Sequence, residues 1–145
     1  MPGVGKSTIG VILAKMLGKE FVDSDLVIQK QEQKLLRDII REQGVDGFVE
    51  VENRINASLS VTNSVIATGG SVVYGSDAMK HLAQIGTVVS IRQSLRELKK
   101  RLSNIKNRGV VLRDNQTLED LYAERCELYE RFADITVDEE GLDIE

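Results

Sequence analysis

Apolar residues recur along this chain in two alternating patterns, one with the spacing of a helix and the other in short unbroken runs. The helical spacing predicts helices over Lys6–Leu17, Asp25–Lys30, Lys34–Glu42, Asp46–Leu59, Asp77–Ile85, Leu95–Leu102 and Leu118–Phe132. The short runs predict strands at Glu20–Asp23, Ser64–Ala67, Thr87–Ile91 and Ile135–Asp138. Because strands and helices alternate, we expect βαβ units and a mainly parallel sheet with helices on both faces.

Length and charge narrow the class of protein. The 145 residues suit a single domain, and 41% hydrophobic with 29% charged residues is an ordinary globular balance. The formal net charge of −4 lacks the basic excess of a nucleic-acid surface. No apolar run approaches the roughly 20 residues that span a bilayer, and the N-terminus does not resemble a secretory signal. We therefore expect a monomer that binds neither nucleic acid nor membrane.

Few residues are available for metal or disulfide chemistry. The single cysteine, Cys126, excludes an internal disulfide framework and an all-cysteine zinc site, and the single histidine, His81, excludes a histidine-rich metal site. Cys126 is expected to be a small, half-buried helix residue, and His81 a surface or packing residue. This composition is typical of a protein of the reducing cytoplasm.

A glycine-rich segment opens the first predicted helix and carries the clearest chemical signal. Gly5, Lys6 and Ser7 supply the end of the P-loop pattern G-x-x-x-x-G-K-[ST], whose first glycine would fall one residue before Met1. In such a loop, backbone N–H groups and the helix N-terminus surround phosphate oxygens. The lysine reaches the β- and γ-phosphates, and the hydroxyl binds Mg²⁺. A glycine-rich helix start without a ligand is the alternative interpretation.

The fold class that follows is a P-loop NTPase, a three-layer α/β/α domain with a mostly parallel sheet. A P-loop normally follows a buried central strand, and no such strand precedes this one. The segment Gly141–Glu145 leaves no room for a closing helix. We expect residues 1–145 to be one kinase domain shortened at its N-terminus, through a misassigned start or a fragment, rather than one completed by another chain.

Two polar segments follow neighbouring predicted strands. Asp23 and Asp25 lie at the end of one strand, and Gly69 and Gly70 at the end of the next. Ligands of open α/β sheets bind at the carboxyl ends of strands, so these residues should converge with the phosphate loop on one crevice. The structural alternative is a turn followed by a helix N-cap, with Asp25 as the capping residue.

At this point the sequence resembles the shikimate kinase family. The matching segments are G-K-S-T-I-G, F-V-D-S-D, the T-G-G turn, a lid-like arginine and R-x-x-L-Y near the end. They run in the family's order from Gly3 to Asp138. The resemblance implies ATP-dependent phosphorylation of a hydroxyl of shikimate, a step of aromatic amino acid biosynthesis.

The resemblance also implies residue roles on the nucleotide side. ATP and Mg²⁺ would be the cofactors, with Ser7 and Asp23 holding the metal ion, Asp23 through water. The implied nucleotide-binding residues are Gly3, Gly5, Lys6, Ser7, Thr8 and Arg101. The loop 104–115 would be a lid that closes over the nucleotide.

On the acceptor side, Asp25 matches the residue that grips the acceptor hydroxyl and can take its proton. Gly69 and Gly70 match the backbone donors that cradle the acceptor ring, and Arg125 matches an arginine that pairs with the substrate carboxylate. The implied catalytic residues are Lys6, Asp25 and Arg108, the last matching the lid arginine. Without the resemblance, Arg108 would be a solvated side chain. Arg125 would be a surface partner of Glu119, Asp120 or Glu130.

The sequence departs from the family mainly around the acceptor and the adenine. Val49 follows Phe48 where the family has an arginine that clamps the carboxylate, and Glu52 has therefore lost its usual neighbour. Ser71 replaces the third glycine of the turn, and Glu139–Gly141 offers no basic residue to the adenine. Two alternatives stay open: a related kinase with another polyol or hydroxy-acid acceptor, and a nucleotide-binding module without catalysis.

Overall fold

A computed structural model describes residues 6–92, 94–96 and 117–138, with side chains from Thr8 onward. The helices are α1 (Lys6–Leu17), α2 (Ser24–Glu32), α3 (Leu36–Ala57), α4 (Ser76–Ile85) and α5 (Leu118–Phe132), with a 3₁₀ helix at Gly70–Tyr74. The strands are β1 (Glu20–Asp23), β2 (Ser64–Ala67), β3 (Val89–Arg92) and β4 (Ile135–Asp138). Of the predicted helix Leu95–Leu102, only the first two residues are described, and both are helical.

Helix α2 begins one residue earlier than predicted because Asp23 is its N-cap. The Asp23 backbone is extended, and its carboxylate accepts a hydrogen bond of 3.0 Å from the Asp25 backbone N–H. This bond satisfies one of the donors that a helix start leaves open. The interpretation of Asp25 as the capping residue is therefore wrong, and its carboxylate is not used for that purpose.

The segment from residue 34 to 59 was expected to form two helices. It forms α3, which is continuous except for a kink at Gly44, where φ is 76° and ψ is 176°. A residue with a side chain adopts this conformation only at a cost, so glycine is what joins the two halves. The C-terminal half ends at Ala57, and Leu59 beyond it is still buried.

The four strands form two parallel pairs, which confirms the predicted parallel arrangement. Strand β1 pairs with β2 from Glu20 opposite Ser64 to Asp23 opposite Ala67. Strand β3 pairs with β4 from Val89 opposite Ile135 to Arg92 opposite Asp138. Because β1 and β2 end level with each other, the residues that follow them leave from the same edge.

Strand β3 is shifted from its predicted position, Thr87–Ile91, toward the C-terminus. Just before it, Val88 is held by the segment that enters β4. The Val88 N–H donates to the Asp134 carboxylate at 2.8 Å, and its carbonyl accepts from the backbone of Asp134 and Ile135. These bonds fix the start of the strand pair outside the regular ladder.

Two apolar clusters support the edge where β1 and β2 end. The first joins α2 to α3 and contains Ile28, Ile39, Phe48, Val51 and Ile55. The second joins the 3₁₀ helix and α4 to α5 and contains Val72, Val73, Ala78 and Met79, with Leu128, Tyr129 and Phe132 packed against them. The first cluster positions a polar side of α3, and the second a polar side of α5, next to the segment that follows β2.

The only histidine, His81, and the only cysteine, Cys126, have the structural roles expected of them. The His81 ring lies 2.6 Å from the Leu59 carbonyl oxygen, across the contact between α4 and the end of α3. Cys126 is half-buried on α5, and burial raises the pKa of its thiol. In the described segments, no helix has the length and apolar character needed to cross a membrane.

We expect Ile28→Ala to destabilise the fold far more than Leu26→Ala. Ile28 is 0% exposed in the first cluster, whereas Leu26, on the same helix, is 60% exposed. Removing a buried isoleucine to its Cβ costs about 2–5 kcal/mol, and an exposed substitution about 0.5 kcal/mol or less. Urea unfolding of the two variants measures the difference, and equal midpoints would contradict this assignment of the core.

Candidate active site

Two carboxylates approach the glycine that follows β2. A Cβ atom added to Gly69 would lie 2.9 Å from Asp25 Oδ1 and 3.1 Å from Glu52 Oε2. Asp25 comes from the first turn of α2, and Glu52 from the buried side of α3. The structure thus brings Asp25 and the glycine turn together, as the sequence predicts, and adds Glu52 to them.

Glu52 is fixed by the residue that stands in place of a third glycine. Its side chain is buried, and Oε1 accepts a hydrogen bond of 2.5 Å from the Ser71 hydroxyl, which is also buried. This length is at the short end of the range for O–H···O hydrogen bonds. The bond ties α3 to the start of the 3₁₀ helix.

Arg125 is buried, with 1% of its surface exposed, so the surface ion-pair interpretation is wrong. Its guanidinium carbon lies 5.5 Å from the centroid of the Tyr74 ring. A cation over an aromatic face at this distance is attracted by the electrons of the ring. Among the described residues, Arg125 is the only buried arginine.

Tyr129 lies one helical turn after Arg125 and contacts the glycine turn directly. Its hydroxyl donates to the Gly70 carbonyl oxygen at 2.8 Å. Burial raises the pKa of this phenol, opposed in part by the nearby charge of Arg125 and a hydrogen bond with it. The hydroxyl therefore keeps its proton and remains a donor at neutral pH.

Asp23 lies at the same edge of the strand pair, opposite Ala67 in the register, and is half-buried. No group of three or more His, Cys, Asp or Glu residues suited to a metal ion occurs in the described part of the chain. Mg²⁺ is commonly held through one or two carboxylates together with substrate phosphates and water. A single aspartate at the end of β1 fits that ion.

The nucleotide side of the site is described only at the start of α1. The helix begins at Lys6, directly after the glycine-rich segment, and Thr8 is exposed in its first turn. The other nucleotide-side predictions lie outside the described residues: Gly3, Gly5, the side chains of Lys6 and Ser7, Arg101, Arg108 and the loop 104–115.

The position where the family has its second arginine is apolar in structure as well as in sequence. Val49 is half-buried and packs against the cluster of α2 and α3. Arg54, the nearest arginine along α3, is exposed and forms an ion pair of 2.6 Å with Glu32. It does not replace the missing guanidinium.

Sequence reasoning missed Ser71, Tyr74 and Tyr129 as parts of this site. Tyr129 is the tyrosine of R-x-x-L-Y, four residues after Arg125. Its ring packs in an apolar cluster with Leu121. Ser71 was treated only as a departure from the family. The spacing of Arg125 and Tyr129 placed them on one helix face and could have indicated a shared role.

The first helix is opened by G-K-S-T, and the carboxylate of Asp25, the glycine turn and the buried Arg125 lie beside parallel strands. This combination defines the class of P-loop phosphotransferases. A family model described as shikimate kinase matches residues 2–145. This chain belongs to the shikimate kinase family.

Relatives and solved structures agree with this membership. The chain is 35% identical to a shikimate kinase of Persephonella marina over 140 residues, 96% of this chain and 85% of that protein. It is 36% identical to a shikimate kinase of Rippkaea orientalis over 140 residues, which cover 94% of this chain and 74% of that protein. A shikimate kinase from Acinetobacter baumannii in complex with shikimate superposes with a TM-score of 0.81 at 32% identity, covering 93% and 77%. The structure of shikimate kinase from Aquifex aeolicus superposes with a TM-score of 0.81 at 30% identity, covering 98% of this chain and 84% of that one.

We expect Gly69→Ala to impair turnover much more than stability. The new methyl group would displace the ends of the Asp25 and Glu52 side chains, and a shift of that size at a reacting group lowers the rate by roughly 10- to 100-fold. Gly86→Ala is the control, because a Cβ there meets nothing within 4 Å. Steady-state rates and melting temperatures of both variants test this, and equal rates would contradict it.

Proposed function

We propose that this chain transfers the γ-phosphate of ATP to a hydroxyl of shikimate. The observation that carries the proposal is the placement of Asp25 beside the glycine turn, with the buried Arg125 held against that turn by Tyr129. A carboxylate, backbone donors and a guanidinium are the groups that would hold a hydroxylated carboxylic acid. The complex of the related Acinetobacter baumannii enzyme with shikimate supports this choice of acceptor.

The chain's own residues would act by positioning and charge. Asp25 would accept a hydrogen bond from the acceptor hydroxyl and take its proton as the oxygen attacks phosphorus. The bond from the γ-phosphorus to the bridging oxygen breaks as the new one forms, and ADP leaves. Lys6 and Arg108 would neutralise charge on the transferring group, and Arg101 would lie near the nucleotide. Ser7 and Asp23 would hold Mg²⁺, which would supply further positive charge at the phosphates.

Arg125 would pair with the carboxylate of the acceptor. Planar guanidinium groups bind carboxylates with two parallel hydrogen bonds, which fixes orientation as well as affinity. The Tyr74 ring and the Tyr129 hydroxyl hold the guanidinium before substrate arrives. We further propose a monomer located in the reducing cytoplasm, a location that the lone cysteine supports.

A second candidate acceptor, another polyol or hydroxy acid, follows from the apolar character of Val49. The described part of α3 offers no buried guanidinium to the site, so α3 would add no second guanidinium to Arg125. A nucleotide-binding module without catalysis is the third possibility, and it would bind ATP but show no turnover with any of these acceptors.

The first test is ADP release from Mg·ATP by the purified protein, with and without shikimate. We expect shikimate-dependent release, and its loss in Lys6→Ala with the fold retained. Turnover with other hydroxy acids but not with shikimate would favour the second candidate. ATP binding without any acceptor-dependent release would favour the module.

We expect Asp25→Asn to lower kcat by about 10²- to 10⁴-fold, because the amide cannot take the proton of the hydroxyl. Asp23→Asn is the matched control. Asparagine caps a helix as well as aspartate does, so α2 should be kept while a charged metal ligand is lost. The control should raise the Mg²⁺ concentration needed for half-maximal rate. Similar losses of kcat at saturating Mg²⁺ in both variants would argue against the role of Asp25.

We expect Val49→Arg to lower the KM for shikimate. An added hydrogen bond between charged groups contributes about 1.5–3 kcal/mol, which corresponds to roughly 10- to 150-fold. Val49→Gln controls for loss of apolar packing without adding charge. An unchanged KM in the arginine variant, with a native melting temperature, would show that the carboxylate does not approach α3 at this position.

A further inference from the structure

We propose that Tyr129 is a positioning residue for the acceptor, because its hydroxyl couples the buried Arg125 to the glycine turn. The inference deepens the proposed function and rests on it, since Arg125 and the turn are the groups assigned to the acceptor. Neither the packing of the tyrosine ring nor the R-x-x-L-Y pattern by itself assigns a task to the hydroxyl.

The coupling consists of two interactions of the Tyr129 hydroxyl. The Tyr129 hydroxyl donates to the Gly70 carbonyl oxygen at 2.8 Å, and the buried Arg125, one turn earlier on the same helix, lies close enough for its charge to lower the pKa of that phenol. The Gly70 carbonyl belongs to the planar peptide unit that also carries the Ser71 N–H. Fixing the carbonyl therefore fixes the direction of that N–H at the start of the 3₁₀ helix.

The other end of this peptide unit is held from α3. The Ser71 hydroxyl donates to Glu52, whose second carboxylate oxygen approaches Gly69. The turn is thus fixed by an acidic side chain on one side and by a phenol beside a cation on the other. A cation beside a hydroxyl makes the hydroxyl a better donor, so Arg125 strengthens the bond from Tyr129 to Gly70.

A purely structural role for Tyr129 makes a different prediction. The ring packs with Leu121 and with the 3₁₀ helix and α4, and phenylalanine would keep all of that packing. The test is therefore Tyr129→Phe, with Tyr122→Phe as the matched control. Tyr122 lies on the same helix and in the cluster of Leu121, but the hydrogen bond to the Gly70 carbonyl comes from Tyr129.

We expect Tyr129→Phe to raise the KM for shikimate about tenfold while the KM for ATP stays within twofold. Loss of one hydrogen bond to a charged partner has roughly this size. Tyr122→Phe should change neither constant. Equal changes of both KM values in Tyr129→Phe, or an unchanged KM for shikimate, would overturn the proposal.

A second measurement does not depend on the acceptor. In the ligand-free protein, the backbone amide resonances of Gly70 and Ser71 should shift in Tyr129→Phe and stay in place in Tyr122→Phe. Unshifted resonances in Tyr129→Phe would overturn the coupling. Absence of shikimate-dependent turnover in the unsubstituted protein would instead count against the proposed function, whatever the resonances show.

Discussion

The arrangement of this molecule depends on packing acidic side chains against the turn at Gly69 and Gly70, which has no side chains of its own. Asp25 and Glu52 approach Gly69 so closely that a single methyl group would touch both. Buried charges are costly unless they are paired and hydrogen-bonded. Here the pairing groups come from the turn and from the helices around it, with Ser71 serving Glu52 and Tyr129 serving Arg125. The hydrogen bonds that reach Glu52 Oε1 and the Gly70 carbonyl oxygen therefore also fix the geometry of the site.

Regular elements were readable from the sequence because their signals are local. The bounds of α1, β1, β2, α5 and β4 follow from hydrophobic spacing, with Gly18 just after α1 and Gly69 just after β2 as further signals. The kink at Gly44 was less readable, since a glycine between two helical patterns indicates either an end or a bend. The capping role passed to Asp23 rather than Asp25 because the cap must have extended backbone, which the end of a strand provides.

The site was predictable in its parts but not in its connections. The motifs correctly brought Asp25 to the glycine turn, since both follow neighbouring strands. They could not show that Arg125 is buried, because its burial depends on Tyr74 and on the packing of α5 against the 3₁₀ helix, whose residues are distant in sequence. The bond between Ser71 and Glu52 joins residues 19 positions apart on different elements, and hydrophobic spacing carries no information about such contacts.

The level pairing of β1 and β2 has a consequence for how the chain tolerates changes in length. Asp25 and Gly69 each stand two residues beyond a facing pair, Asp23 and Ala67. An insertion or deletion within either strand would shift the register of the pair, so that Asp25 and Gly69 would be displaced from each other by about 3.3 Å along the edge. The connection between Ala57 and Ser64 can vary in length without that effect. Evolutionary gaps among relatives should therefore gather in that connection and avoid both strands.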